Sequence, residues 1–233
     1  MKKTILLLVF FLTTKLLFAH DCLPQLAKCP IDNTEVKFCV YGPSAAFGIF
    51  TDFQLKVDID DYYEVQIKSC PKCHFSGFLA DFKVVYNDKE KSEIKGFLSK
   101  YNSIAIDDVK ECQIAGELKE FQKESNDKIG NCFLIGSYIL KIRPNKMEIR
   151  KELQNKARHY FMKAVADKEY KNPNELASIN YLIAEMYRRT ADFKNAIKFY
   201  NVVVKNPKKS PWIEEMVVIQ KELAVKKNEI NTI

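Results

Sequence analysis

The chain of 233 residues is long enough for one large domain or two small ones, and its apolar share of 47% is sufficient for a hydrophobic core. The formal charge of +7 is mild for this length, and acidic and basic residues are mixed along the predicted helices. A nucleic-acid-binding surface would need a denser basic patch, so we expect no nucleic acid as a partner.

The N-terminus has the pattern of an export signal. Two early lysines are followed by an apolar run from Ile5 to Leu12, and Ala19 is a small residue suited to a cleavage point. Lys15 interrupts the run, which is too short to span roughly 30 Å of bilayer hydrocarbon. We therefore predict a signal peptide over residues 1–19, a periplasmic or extracellular protein, and no stable membrane span after cleavage.

Two cysteine–proline turns, which we call knuckle 1 and knuckle 2, are the main chemical motif. Knuckle 1 is Cys29-Pro30-Ile31-Asp32 and knuckle 2 is Cys70-Pro71-Lys72-Cys73. In a zinc ribbon each knuckle supplies two ligands, together with backbone N–H groups that hydrogen-bond the thiolates. Cys29, Cys70 and Cys73 are therefore candidate thiolate ligands of Zn²⁺, with Asp32 as an oxygen ligand. Aspartate binds zinc at about 2.0–2.2 Å, so this substitution weakens the site without excluding it.

Disulfides are the alternative, because seven cysteines in an oxidising compartment leave at least one thiol unpaired or bound to metal. Cys70 could pair with Cys73 or with Cys29, or the ribbon could have lost its metal. Cys112 and Cys132 lie on predicted apolar helix faces, which favours small buried side chains or at most one disulfide. His74 follows a ligand cysteine directly, and we expect it to point away from the site.

Alternating apolar residues predict three short strands in a small antiparallel sheet. Val36 and Phe38 share one face of the first strand, and Cys39 points to the other. Such a sheet is marginal alone, so a metal or a packed neighbour would have to stabilise it. The predicted strands cover residues 34–41, 53–57 and 63–67.

After residue 86 the apolar period becomes that of helices, and short breaks between helices predict antiparallel neighbours. Capping signals are expected at Asn87 with Glu90, Asp107 or Asp108, Asn145 with Glu148, Asp192, and Ser210 before Pro211. We therefore predict an α+β fold, mostly α, with six or seven helices. A zinc-ribbon-like domain would cover residues 20–86 and a helical domain residues 87–233.

Two helical stretches resemble tetratricopeptide repeats. In the better one, Tyr187 ends the first helix, Ala196 and Tyr200 lie in the second, and Pro207 follows. The other joins Ile135-Gly136-x2-Ile139 to Ala157-x3-Phe161-x2-Ala164 over a longer spacing than the repeat allows. A plain helical bundle is the alternative.

The repeat pattern also predicts a partner-binding groove on the helix from Glu175 to Tyr187. The side chains expected to face it are Ser178, Tyr181, Glu185, Arg188 and Arg189, whereas Leu182, Ile183 and Met186 would pack inward. Adjacent arginines beside a tyrosine can hold a carboxylate, so an acidic segment or chain terminus of a protein partner is the expected ligand. Alternatively, the arginines interact with the negative end of the helix dipole.

We expect no enzyme, because the three histidines belong to no zinc-protease motif, and neither a phosphate loop nor a nucleophile elbow is present. Cys70-x-x-Cys73 could be the redox pair of an exported thiol–disulfide protein. Such pairs usually begin a helix after a strand in an α/β unit, a pattern that is not seen here. The favoured function is therefore a non-enzymatic protein-binding scaffold.

Five segments in combination point to a family. They are Cys29-Pro30-Ile31-Asp32, Phe50-Thr51-Asp52-Phe53, Ser69 through Phe82, Tyr181 through Arg189, and Asp192-Phe193. With them, the chain resembles an uncharacterised bacterial family of domain-of-unknown-function proteins, in which two Cys-Pro-x-Cys knuckles precede tetratricopeptide-like helices. The resemblance implies zinc binding by the knuckles and assigns no reaction. Asp32 and the export signal depart from the family pattern.

Overall fold

A computed structural model describes residues 22–42 and 46–230, so the predicted signal peptide over residues 1–19 lies outside the described residues. The described chain is α+β and mostly α, as predicted, with six short strands followed by seven α-helices.

The strands form three separate antiparallel pairs, β1–β2, β3–β4 and β5–β6. The predicted single three-stranded sheet is therefore wrong. Each knuckle is the turn of its own hairpin, knuckle 1 between β1 and β2 and knuckle 2 between β5 and β6. Most of the predicted third strand is turn, and only Ile67 of it is extended. The strands are β1 (Leu23–Lys28), β2 (Glu35–Val40), β3 (Ala46–Ile49), β4 (Leu55–Val57), β5 (Ile67–Ser69) and β6 (Ser76–Phe78).

The helices begin largely at the predicted caps. Asn87 and Glu90 form a capping box, and Asp107, Asp192 and Ser210 each accept a backbone N–H bond at a helix start. The helices are α1 (Asp88–Leu98), α2 (Asp108–Phe121), α3 (Asn126–Ile139), α4 (Met147–Ala166), α5 (Pro173–Arg189), α6 (Phe193–Lys205) and α7 (Pro211–Val225).

The cap predicted at Asn145 is wrong. A short 3₁₀ turn, Pro144–Lys146, leads directly into α4, and no side chain caps the start of that helix. Lys146, the residue before the helix, has φ of −117° and ψ of 20°, which is not the extended backbone of a side-chain cap.

Two hydrophobic cores hold the strands and helices together. One is formed mainly by α2 to α7 and also includes Ile67 of β5. The other joins both knuckles to α1 and α2, and Phe82 packs edge-on against both Phe38 and Phe75 at ring distances of 5.0 and 5.1 Å. The predicted boundary after residue 86 separates strands from α-helices, whereas both cores cross it. Packed helices therefore stabilise the small hairpins.

The cysteines divide into three groups. Cys22 and Cys39 form a disulfide across the ends of β1 and β2, a pairing that the sequence analysis did not propose. Cys112 and Cys132 are free, buried thiols, in agreement with the expectation of small buried side chains and not with a disulfide between them. Cys29, Cys70 and Cys73 are also free, which removes the predicted alternative of a disulfide among them in this structure.

Candidate metal centre

The two knuckles have the same backbone hydrogen bonds. In knuckle 1, Cys29 donates its N–H to the Thr34 carbonyl at 2.8 Å, and Asn33 donates to the Cys29 carbonyl at 2.9 Å. In knuckle 2, Cys70 donates to the Phe75 carbonyl at 2.8 Å, and the His74 N–H donates to the Cys70 carbonyl at 2.9 Å. The sequence repeat is therefore also a structural repeat.

Each knuckle turns back through a residue in the left-handed region. Asn33 and His74 both have φ of 61°, a conformation that asparagine and histidine adopt more readily than most side chains. His74 takes this corner position and is outside the cluster of possible ligands, as predicted.

The four predicted ligands come together. One ligand atom from each of Cys29, Asp32, Cys70 and Cys73 lies within 4.8 Å of all the others. The Cys29 and Cys73 Sγ atoms are 3.5 Å apart, and Cys70 Sγ is 3.5 Å from Asp32 Oδ1. Zinc–thiolate bonds of about 2.3 Å in a tetrahedron place sulfurs about 3.8 Å apart. The side chains therefore already have nearly the separations that one tetrahedral zinc ion requires.

Asp32 occupies in knuckle 1 the position of Cys73 in knuckle 2, and it makes the same kind of local hydrogen bond. Its Oδ1 accepts the backbone N–H of Thr34, two residues later, at 3.0 Å. In knuckle 2 the backbone N–H of Phe75 interacts in the same way with the Cys73 thiol, also two residues earlier. The carboxylate thus occupies the position of the fourth thiolate in the repeat.

The pKa values of the three cysteines are shifted in different directions. Hydrogen bonds from the Cys29 and Cys73 thiols hold the pKa of Cys70 well below its usual value, and the backbone N–H groups of Cys73 and Lys72 lower it further. The hydrogen bond with Cys70 raises the pKa of Cys29 to about 12. Hydrogen bonds with Cys29 and then Cys70 also raise the pKa of Cys73. Zinc binding to all three sulfurs would require each thiol to lose its proton.

The donor set fits zinc. Three thiolates and one carboxylate are all ligands that zinc accepts, and four protein ligands complete its usual tetrahedron. Cys29 and Cys70 are fully buried, whereas Asp32 and Cys73 are partly exposed. The arrangement is a closed site of the kind that zinc occupies in structural roles.

The predicted partner-binding groove on α5 needs correction. Tyr181, Glu185, Arg188 and Arg189 are buried inside the chain, and of the five predicted residues only Ser178 is partly exposed. Leu182, Ile183 and Met186 are also buried, as expected. The C-terminal part of α5 is therefore covered on every side, and these four side chains are not on a surface that a partner could reach.

The arginines do bind a carboxylate, but it belongs to the same chain. Arg189 Nη1 is 2.5 Å from Asp52 Oδ2, and Arg189 Nε is 2.9 Å from Glu185 Oε2. Arg188 Nη2 is 3.0 Å from the same Glu185 oxygen, and its Nη1 donates to the carbonyls of Asn228 and Ile230. Asp52 was missed as a site residue, although the sequence analysis placed it in one of the family-like segments.

A family model described as "Uncharacterized protein conserved in bacteria (DUF2225)" matches residues 51–224. The chain belongs to this family. The DUF2225 match includes knuckle 2 and both partners of the Asp52–Arg189 ion pair, and it begins after knuckle 1. No curated protein and no solved structure matches the chain. Within residues 22–42 and 46–230, no helix combines the length and apolarity that a membrane crossing needs.

Proposed function

We propose that this DUF2225 protein is an exported, non-enzymatic scaffold in which Cys29, Asp32, Cys70 and Cys73 hold one structural zinc ion. The observation that supports it is the convergence of these four side chains from two knuckles of matching geometry. Zinc there would act as a cross-link between the β1–β2 and β5–β6 hairpins. Because all four positions are filled by the protein, the site favours structural over catalytic zinc.

The test is the metal content of the purified mature protein, together with a count of reactive thiols. We expect one zinc per chain, and protection of Cys29, Cys70 and Cys73 from alkylation until a chelator is added. The double variant Cys22→Ser with Cys39→Ser is the matched control, since it removes two cysteines from the β1–β2 hairpin and leaves the four ligands. Loss of zinc from this control, or no stoichiometric zinc in the wild type, would contradict the proposal.

The second candidate is a thiol–disulfide protein that uses Cys70 and Cys73. The lowered pKa of Cys70, caused first by the hydrogen bond from Cys29, favours it because thiolates are the reactive form. Against it, the pair lies in the turn of a β-hairpin and Cys70 is fully buried. Insulin reduction by the wild type and by Cys70→Ser distinguishes the two candidates, and equal rates would exclude the redox function.

The same proposal includes a protein partner, and we propose that it binds to the helical part of the chain. Consecutive helices pack against one another, and the last two expose Val202, Val204, Val218, Ile219 and Val225. We propose that these side chains form one apolar patch, the kind of surface that marks a protein-binding site. The pair Val218→Lys with Val225→Lys should abolish capture of a partner from envelope extract, whereas Glu214→Lys with Glu222→Lys on the same helix should leave it intact.

A further inference from the structure

A pocket of about 400 Å³ lies between the β3–β4 hairpin, the turn that follows β4, and the C-terminal end of α3. This volume is in the range of small-molecule sites. Lys141, just beyond α3, contributes a cation to its lining. The walls are otherwise mainly aromatic and aliphatic, formed by Phe47, Phe50, Leu55, Val57, Tyr63 and Tyr138.

The ammonium group of Lys141 is held in a mostly buried position. Its side chain is 9% exposed, and Nζ lies 3.4 Å from the centre of the Phe50 ring and 3.5 Å from Asp52 Oδ1. Burial lowers the pKa of Lys141 to about 8, although the Asp52 carboxylate acts in the opposite direction. The surroundings of Lys141 thus compensate its positive charge only in part.

Asp52 cannot neutralise Lys141 alone because it is shared among three cations. The same carboxylate lies 2.5 Å from Arg189 and 3.8 Å from Arg150. Arg150 is only 2% exposed, and its Nε and Nη2 have no hydrogen-bond partner among the described residues. Its pKa is lowered to about 10, first by burial and then by Arg189. Glu185 also binds Arg189, but it is shared with Arg188, so two carboxylates face four buried cations and an excess of positive charge is left beside the pocket.

The acidic side chains of the pocket do not remove this excess. Glu64 is paired with Arg143, which also binds Asp108 at 2.6 Å. Asp60 is exposed to solvent. A negative charge that reaches Lys141 from inside the pocket would therefore meet a cation that lacks a full counter-ion. The aromatic walls limit water there, which strengthens the electrostatic attraction.

We propose that this pocket binds a small organic carboxylate, with its apolar body against the aromatic walls and its carboxylate beside Lys141. An aromatic or branched aliphatic acid fits both requirements, since the walls provide apolar contact and Lys141 provides a charge-assisted hydrogen bond. This site is independent of the metal centre, because none of the four cysteine and aspartate ligands lines the pocket.

Titration calorimetry of the full mature chain with benzoate and with benzylamine tests the proposal. The two probes share a ring and differ in the sign of their charge. We expect benzoate to bind at least tenfold more tightly than benzylamine. Equal affinities would overturn the assignment. So would the absence of binding heat from benzoate at about 10 mM, a concentration that detects even weak, millimolar binding.

Two variants test which lysine provides the positive charge that binds benzoate. Lys141→Met removes the charge, keeps an unbranched side chain of nearly the same length, and should weaken benzoate binding at least tenfold. Lys56→Met is the matched control, because Lys56 lines the same pocket and lies 4.8 Å from the same Phe50 ring, and it should change affinity less than threefold. Equal losses in the two variants would contradict the role of Lys141.

If Lys141→Met does not fold, carbon-13 NMR of Lys141 in the wild type answers the same question. Benzoate should raise the pKa of Lys141, and an unchanged pKa would refute the site.

Discussion

Asp32 and Cys73 have equivalent positions in the two knuckles, and each interacts with the backbone N–H group two residues further along the chain. The carboxylate is therefore oriented by the same kind of contact as the thiol at the equivalent position of knuckle 2. This equivalence makes position 32 the most informative place to test the metal centre, because the backbone there already has the geometry of a cysteine ligand.

We predict that Asp32→Cys binds zinc more tightly by roughly tenfold, because a fourth thiolate completes the ligand set that zinc favours. Asp32→Asn keeps an oxygen that can accept the Thr34 N–H bond and loses the charge, so it should bind zinc more weakly than the wild type. Competition with a chromophoric chelator measures all three proteins. Identical affinities would show that position 32 is not a ligand.

If the wild type contains zinc, Cys73→Ser should have a lower melting temperature than the wild type. Structural zinc contributes apparent binding free energies of about 10–16 kcal/mol in small peptides, so losing one thiolate should cost several kcal/mol here. Thermal melting with and without chelator checks this prediction. If chelator leaves the melting of the wild type unchanged, the cross-linking role of the metal is wrong.

Asp52→Asn should destabilise the fold by about 3–5 kcal/mol, the range found when one partner of a buried ion pair is removed. Lys141, Arg150 and Arg189 would then face each other without the carboxylate. Urea denaturation measures the change in the free energy of unfolding. The control is Asp60→Asn, an exposed position that should change stability by less than about 0.5 kcal/mol.

Two helical glycines should respond to alanine with opposite signs. A Cβ at Gly116 of α2 would lie 2.7 Å from Phe133, so Gly116→Ala should cost about 1–3 kcal/mol through overpacking. At Gly96 of α1 the space is open, and alanine should stabilise the helix by about 0.5–1 kcal/mol. Denaturation of both variants checks the pair, and a loss of stability in Gly96→Ala would contradict the helix argument.

Benzoate binding to the proposed pocket should weaken as the pH rises through about 8. Burial lowers the pKa of Lys141 in the free protein to about 8, and the carboxylate ligand favours the protonated amine. The affinity should therefore be constant below about pH 7 and fall by up to about tenfold per pH unit above about pH 8. Calorimetry between pH 6 and about pH 10 follows this change, and a flat profile would contradict it. The charged groups around Lys141 are Asp52, Arg150, Arg189, Lys56, Asp60 and Glu64.

Local chemistry made the knuckles and most helix caps predictable. The ligand spacing in Cys70-Pro71-Lys72-Cys73 and the capping box of Asn87 with Glu90 each depend on a few consecutive residues, so the sequence contains the whole signal. Pairing the two knuckles needed only the assumption that a metal requires four ligands. The strand pairing failed because hydrophobic alternation does not specify which strand lies beside which.

The interior of α5 could not be predicted for a different reason. A repeat pattern assigns one face of a helix to the core and another to a groove, but the C-terminal part of α5 is buried on all sides. The carboxylate that covers Arg189 comes from Asp52, 137 positions earlier in the chain. Neither periodicity nor spacing connects residues so far apart, and the Cys22–Cys39 disulfide was missed because cysteine counts do not fix connectivity.

The core that contains both knuckles is completed by residues that are synthesised at different times. The ribosome releases Cys29 and Asp32 first, Cys70 and Cys73 later, and the covering residues Ile114 and Leu118 of α2 last. For that interval the three thiols are exposed to whatever metal ions and oxidants surround the growing chain. We therefore expect metal binding and thiol oxidation to compete for the three thiols until α2 has packed over them.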